Sequence, residues 1–201
     1  YTRLADYEYS LGEYNRAYAF ADTATAIYDS VFAAGAGEPA LVTEHAEAYH
    51  FAGVSLRELN RRDEAARKLE KSVQITASRN DRPKSTSFAG MWTGESKPSK
   101  RALMEEIEAR VALLEVVMQL DMDRATEHVQ AIERLIDRVG AGVSDDMKDE
   151  IQFEYLKLAN YYWKQGNVQT ADSLFSKTRE MRRRVYGQNS VQVATALHNT
   201  A

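Results

Sequence analysis

The sequence predicts an all-α protein, a solenoid built from antiparallel helix hairpins. Three observations carry that expectation. Only 10 glycines and 3 prolines occur in 201 residues, about half the average usage of roughly 7% and 5%, whereas an all-β chain needs a turn every ~8–12 residues. Apolar residues recur at i, i+3, i+4 and i+7, as at Tyr155, Leu158, Ala159 and Tyr162, which is the helical period. The glycines and prolines that do occur gather into four breaks, at residues 35–39, 79–101, 140–142 and 187–190, and so act as punctuation between periodic blocks.

Each block divides again at a short polar kink: Leu11-Gly12-Glu13, Asn60-Arg61-Arg62, Leu120-Asp121-Met122 and Gln165-Gly166-Asn167. A helix, a tight turn and a second helix follow in each case. The expected hairpins span about 1–34, 39–78, 100–139 and 144–186, with an unpaired ninth helix over 190–201. The whole chain, 1–201, then reads as one solenoid interrupted by a long inter-repeat loop at 79–101.

Regular blocks call for a repeat search. Block four carries Tyr155, Leu158-Ala159, Tyr162, Gly166, Ala171, Phe175 and Thr178. Block two repeats this with Tyr49, Ala52-Gly53, Leu56, Asn60, Ala65, Leu69 and Ser72. Block one has Leu4-Ala5, Gly12, Tyr14, Ala17, Ala21 and Ala24, while block three places only Ala112-Leu113 and Ala125. Small residues stand where two helices cross closely, and large ones fill the space between hairpins. The pattern resembles the tetratricopeptide repeat. The segment from Leu158 to Ala201 is similar to the 42-residue variant of kinesin light chain, through Val185-Tyr186-Gly187 and Val193-Ala194-Thr195-Ala196-Leu197-His198-Asn199-Thr200-Ala201. Asn189-Ser190 stands where that variant often has His-Pro. The resemblance implies a right-handed α-solenoid whose inner surface binds partner proteins.

Reactive constellations are few. No cysteine is present, which removes disulfides, thiolate zinc sites and cysteine nucleophiles. His45 and His50 are spaced i, i+5, about 140° apart around a helix, whereas a zinc-protease helix needs i, i+4. Glu127-His128 reads as an exposed helix face. Neither Gly35-Ala36-Gly37 nor Gly140-Ala141-Gly142 completes a dinucleotide fingerprint, and Thr93-Gly94-Glu95-Ser96-Lys97 lacks the first glycine of a phosphate loop. Glu105-Glu106 and Asp145-Asp146 lie near helix N-termini, where the helix dipole accounts for them. No enzyme activity, cofactor or metal is expected. The net charge of −4 gives no basic footprint for nucleic acid, and no window reaches the ~18 apolar residues of a membrane span. The opening Tyr1-Thr2-Arg3-Leu4 and the interrupted last repeat suggest a piece of a longer protein. Compartment is not specified.

The expected function is protein binding. In a stack of hairpins the first helix of each pair leaves one stripe facing the concave side. In block four that stripe is Phe153, Leu156, Asn160, Trp163 and Lys164, and in block two Glu47, His50, Val54, Arg57 and Glu58. Block one adds Asp6, Tyr9 and Ser10, and the terminal helix His198. Tyr9 and Trp163 are the expected aromatic anchors, with Asn160 and Arg57 bonding an extended or helical partner segment, because aromatics and Arg are enriched at binding hot spots. Chaperone-binding relatives grip a peptide carboxylate with a Lys/Asn/Lys/Arg set. Here Asn160 matches, but Leu156 stands at a Lys position and Glu47 would repel an anion, so no carboxylate clamp is expected.

The 79–101 stretch has six basic and two acidic residues plus Phe88, Met91 and Trp92, leaving −8 on the remaining body. Phe88 and Trp92 either fold onto the aliphatic Leu114/Val117/Met118 surface or are offered to a partner. The alternative to a peptide groove is a structural or regulatory segment, a possible assembly subunit, that stacks on further repeats.

Overall fold

A computed structural model describes residues 1–81, 98–139 and 145–186. Eight helices follow one another: α1 (Thr2–Ser10), α2 (Tyr14–Ala33), α3 (Leu41–Glu58), α4 (Arg62–Asp81), α5 (Lys100–Val117), α6 (Met122–Val139), α7 (Asp145–Lys164) and α8 (Val168–Tyr186). No strand occurs among the described residues. The ninth helix expected at 190–201 lies outside them. The chain divides into two compact units, Tyr1–Val139 and Gly140–Ala201.

Three of the four hairpin turns share one chemistry. Gly12, Asn60 and Gly166 have φ of 78°, 58° and 77°, the left-handed region that glycine enters freely and asparagine tolerates. At each, the next residue's N–H bonds back five positions: Glu13 to Glu8, Arg61 to Leu56 and Asn167 to Tyr162, at 3.0, 2.9 and 2.9 Å. This pairing satisfies carbonyls that a helix end would otherwise leave open. Asn167 Oδ1 then accepts from Thr170 N at 3.3 Å, capping α8 as it begins. Block three turns without a left-handed residue, through Leu120 N and Asp121 N to Val117 O.

Within the first unit each helix packs on its chain neighbour, and α1 also meets α3 as α3 meets α5. The crossings fall at the small residues of the repeat: Ala5, Ala17, Ala21, Ala52 and Ala65 have no exposed surface. At Gly53 an added Cβ would stand 2.4 Å from Leu69 Cγ. In the second unit α7 packs on α8 through Tyr155, Leu158, Ala159, Ala171, Phe175 and Thr178, all buried. The apolar run in α5 is covered on several sides, with Leu113, Leu114, Val116 and Val117 at most 1% exposed.

Polar bonds fix two of the interfaces. Between α2 and α3, His45 Nε2 lies 2.9 Å from Asp29 Oδ1 and Tyr49 OH donates to Asp29 Oδ2 at 2.6 Å, while Phe32 stacks on the imidazole at 4.9 Å. Between α4 and α5, Arg79 Nη2 and Asn80 Nδ2 both donate to Ala102 O, at 3.0 and 3.1 Å. Arg79 Nη1 also reaches Glu105 at 2.6 Å, and Asn80 Nδ2 reaches the buried Glu106 at 2.8 Å. Glu105 and Glu106 are therefore tertiary acceptors rather than dipole partners, a correction to the sequence reading. Arg79, Lys100 and Arg101 likewise stand on helices, outside any loop.

Two stability outcomes follow from this packing. Gly53→Val drives a branched side chain into Leu69 and should lower stability by about 1–3 kcal/mol, read from the urea midpoint by circular dichroism. Glu106→Ala strips Asn80 and Arg110 of a buried acceptor and should lower it by about 3 kcal/mol; a loss under ~1 kcal/mol would show the network to be idle.

Candidate functional site

In the first unit the first helices of three hairpins, α1, α3 and α5, enclose a cleft of about 230 Å³ backed by α4. It is lined by Ala46 and Phe51 of α3, Ala109 of α5, and Ser72 and Thr76 of α4. Asp6, Glu47, Glu105 and Glu108 line it, with His50 and Thr43. The helical period puts Thr43, Glu47 and His50 on one side of α3, so the stripe arises directly from the sequence.

The electrostatics of this recess are one-sided. Burial raises the Glu47 carboxyl above the usual carboxylate range, and Glu105, Glu44 and Asp6 push it further while Arg101 opposes them. Burial, with Arg57 nearby, lowers His50 to about 4. Its imidazole is thus neutral at neutral pH. Glu105 is answered by Arg79 at 2.6 Å and Arg101 at 2.9 Å.

Beside the cleft, Arg57 ties the three first helices together. Its Nε and Nη2 donate to Glu58 at 3.0 and 2.8 Å, its Nη2 to Tyr9 OH at 3.2 Å, and its Nη1 pairs with Glu115 of α5. The Tyr9 ring lies against Tyr14 and Phe51 at 5.4 and 6.4 Å. Arg57 was expected to bond a partner's backbone; its donors are instead engaged within the fold. Val54, placed on the same stripe by spacing, is buried at 5% exposure, because α3 lies between α1 and α5 and its middle turns are covered. His128 corrects a third expectation: it is half-buried, 3.5 Å from Arg110, and lowered to about 4 by burial and by Arg110 and Arg124.

The second unit carries a separate surface on α7. Phe153 and Trp163 are 59% and 56% exposed, Asn160 and Lys164 are exposed and Leu156 is half-buried. Lys157 Nζ sits 4.3 Å over the Phe153 ring. These side chains lie on the face of α7 turned away from α8. His198, Phe88 and Trp92 lie outside the described residues.

Sequence spacing missed Thr43, Phe51, Ser72, Thr76, Glu105 and Glu108. Glu105 and Glu108 were out of reach because block three, lacking a turn glycine, offered no fixed register. Among the described residues no group of three or more His, Cys, Asp or Glu could hold a metal ion, and no helix is long and apolar enough to cross a membrane.

Successive helical hairpins, three of the four closed by a left-handed turn residue and packed across small residues, define a helical-repeat solenoid. Residues 155–192 match the model of the tetratricopeptide repeat. The fold is similar to that of BtubC (BKLC) from P. vanneervenii, with a TM-score of 0.55 and 13% identity over 92% of this chain and 63% of that one. Residues 155–192 are thus similar to a tetratricopeptide repeat, within an all-α solenoid fold. At 13% identity the likeness to BtubC is one of fold alone, and the chain spans 63% of BtubC's length. No curated protein matches it in sequence. Tetratricopeptide repeats generally mediate protein–protein interaction, and solenoids of this kind are typically non-enzymatic.

The cleft sets a pH dependence. A histidine whose folded pKa is depressed contributes stability that is complete above its unfolded value near 6.5 and is lost as pH falls toward about 4. Glu47 has the opposite sign, its raised pKa favouring the folded state at low pH. Chemical denaturation from pH 7 to 4 should show His50→Gln losing less stability than the parent chain. Parallel pH curves for the two would contradict the neutral, desolvated imidazole.

Proposed function

We propose that this chain is a non-enzymatic protein-interaction scaffold that binds an extended or helical segment of a partner protein along the inner faces of its first helices. The observation that carries the reading is the cleft, lined from α1, α3 and α5, the first helices of three successive hairpins. A recess assembled from consecutive repeats admits a chain segment lying across them, so the recognition surface grows with the solenoid. The exposed Phe153, Asn160 and Trp163 of α7 offer a second face of the same kind, with aromatic anchors and an amide that can bond a backbone.

A display library of random 12-residue peptides selected on the full chain tests this. Selected peptides should lose at least tenfold affinity on Glu108→Trp, which fills the cleft from an exposed position, or on Trp163→Ala with Asn160→Ala. They should be indifferent to Arg67→Ala on the outward side of α4. Peptides that respond only to Arg67→Ala would place binding on the outer helices and refute the groove.

A further inference from the structure

We infer that the cleft of the first unit recognises a cationic side chain, a lysine or arginine carried by the partner segment. This deepens the groove reading above and rests on it. Apart from Ala46, Phe51 and Ala109 the lining is polar and rich in acceptors, of which Thr43 Oγ1 already takes a bond from Arg79 at 2.7 Å. It has four carboxylates and no lysine or arginine. Its single imidazole is held neutral.

The hydroxyls of the wall point the same way. Ser72 and Thr76 are 1% and 2% exposed. Ser72 Oγ donates to Ala46 O at 2.9 Å, and Thr76 Oγ1 donates to Ser72 O or Val73 O at 3.1 or 3.0 Å. With the hydroxyl protons committed to main-chain carbonyls, only oxygen lone pairs are left toward the cleft. No donor reaches either oxygen among the described residues. The hydroxyls thus add acceptor lone pairs and no donor, and it is the carboxylates and the recess that ask for a ligand rich in N–H.

The carboxylates differ in how far they are already answered. Glu105 has Arg79 and Arg101. Glu47 is half-buried and Asp6 exposed, and neither has an ion-pair partner among the described residues. An ammonium or guanidinium between them would relieve the repulsion that raises the Glu47 carboxyl. The apolar lining residues Ala46, Phe51 and Ala109 suit the methylene stem of such a side chain. The volume, about 230 Å³, is more than ten times the ~10–15 Å³ that one water needs. Both the stem and the head have a counterpart. An acidic peptide would meet the like charges of Glu47 and Asp6, and a purely apolar one would leave those two carboxylates without an ion-pair partner.

The test uses the full chain and the peptides selected from the random library, labelled for fluorescence polarisation. Peptides whose affinity falls on Glu108→Trp should contain lysine or arginine. Replacing that residue with citrulline or acetyl-lysine should weaken them at least tenfold. Glu47→Gln in the chain should weaken them by a similar factor while raising the thermal midpoint of the free chain, since it removes a desolvated charge. That pair of opposite effects separates recognition from misfolding, and Asp6→Asn gives the same readout from a second helix.

Cleft-dependent peptides that lack a basic residue and ignore Glu47→Gln would overturn the cationic assignment and leave the groove standing. Peptides insensitive to Glu108→Trp and to the α7 substitutions would overturn both. Binding of spermidine at the cleft without any basic peptide would assign it to a free polycation and also overturn the proposal.

Discussion

The close crossing of helices at residues with little or no side chain is the constraint on which the rest of this structure depends. Gly53 lies so near Leu69 that a methyl in its place would overlap the leucine, and Ala17, Ala65 and Ala171 are sealed from solvent at one shared position on the second helix of their hairpins. Dispersion and apolar burial act over short range, so a hairpin opened at its crossing would lose contacts along its length. The left-handed residues at Gly12, Asn60 and Gly166 deliver the second helix to that crossing. Turn and crossing thus form one unit.

From this unit the inner surface follows. With one side of each first helix engaged by its own pair and by neighbouring hairpins, the remaining stripe is free of packing duty and can carry polar chemistry. In the first unit that stripe became a recess of acceptors around Glu47, Ser72 and Thr76. In the second unit α7 became a face of aromatics and lysines. Arg57 sits at the boundary between scaffold and surface. It joins α1, α3 and α5 through Tyr9, Glu58 and Glu115, so the wall is positioned by bonds internal to the fold.

Much of the fold was legible because its determinants are local. Helical period, glycine in a tight turn and alanine at a crossing are written over a few residues, and they carry the all-α class. The site was less legible because its determinants are not local. Arg57 was read as a free donor since its acceptor Glu115 lies 58 positions away. Val54 was read as exposed since its cover comes from neighbouring repeats. Glu108 was invisible because Leu120-Asp121 closes the third hairpin without a left-handed residue, leaving no marker from which to count. Glu105 and Glu106 looked like partners of a helix dipole, whereas Arg79 and Asn80 of the preceding helix bind them.

The central claim is that partner segments engage the inner faces of the first helices. Hydrogen exchange by mass spectrometry on the full chain, with and without a saturating selected peptide, tests it most directly, since a ligand that binds only the folded state slows exchange where it suppresses opening. The account predicts added protection concentrated in α1, α3 and α5 of the first unit or in α7 of the second, with α2, α4 and α6 least changed. Protection concentrated instead in α2, α4 and α6 would contradict it.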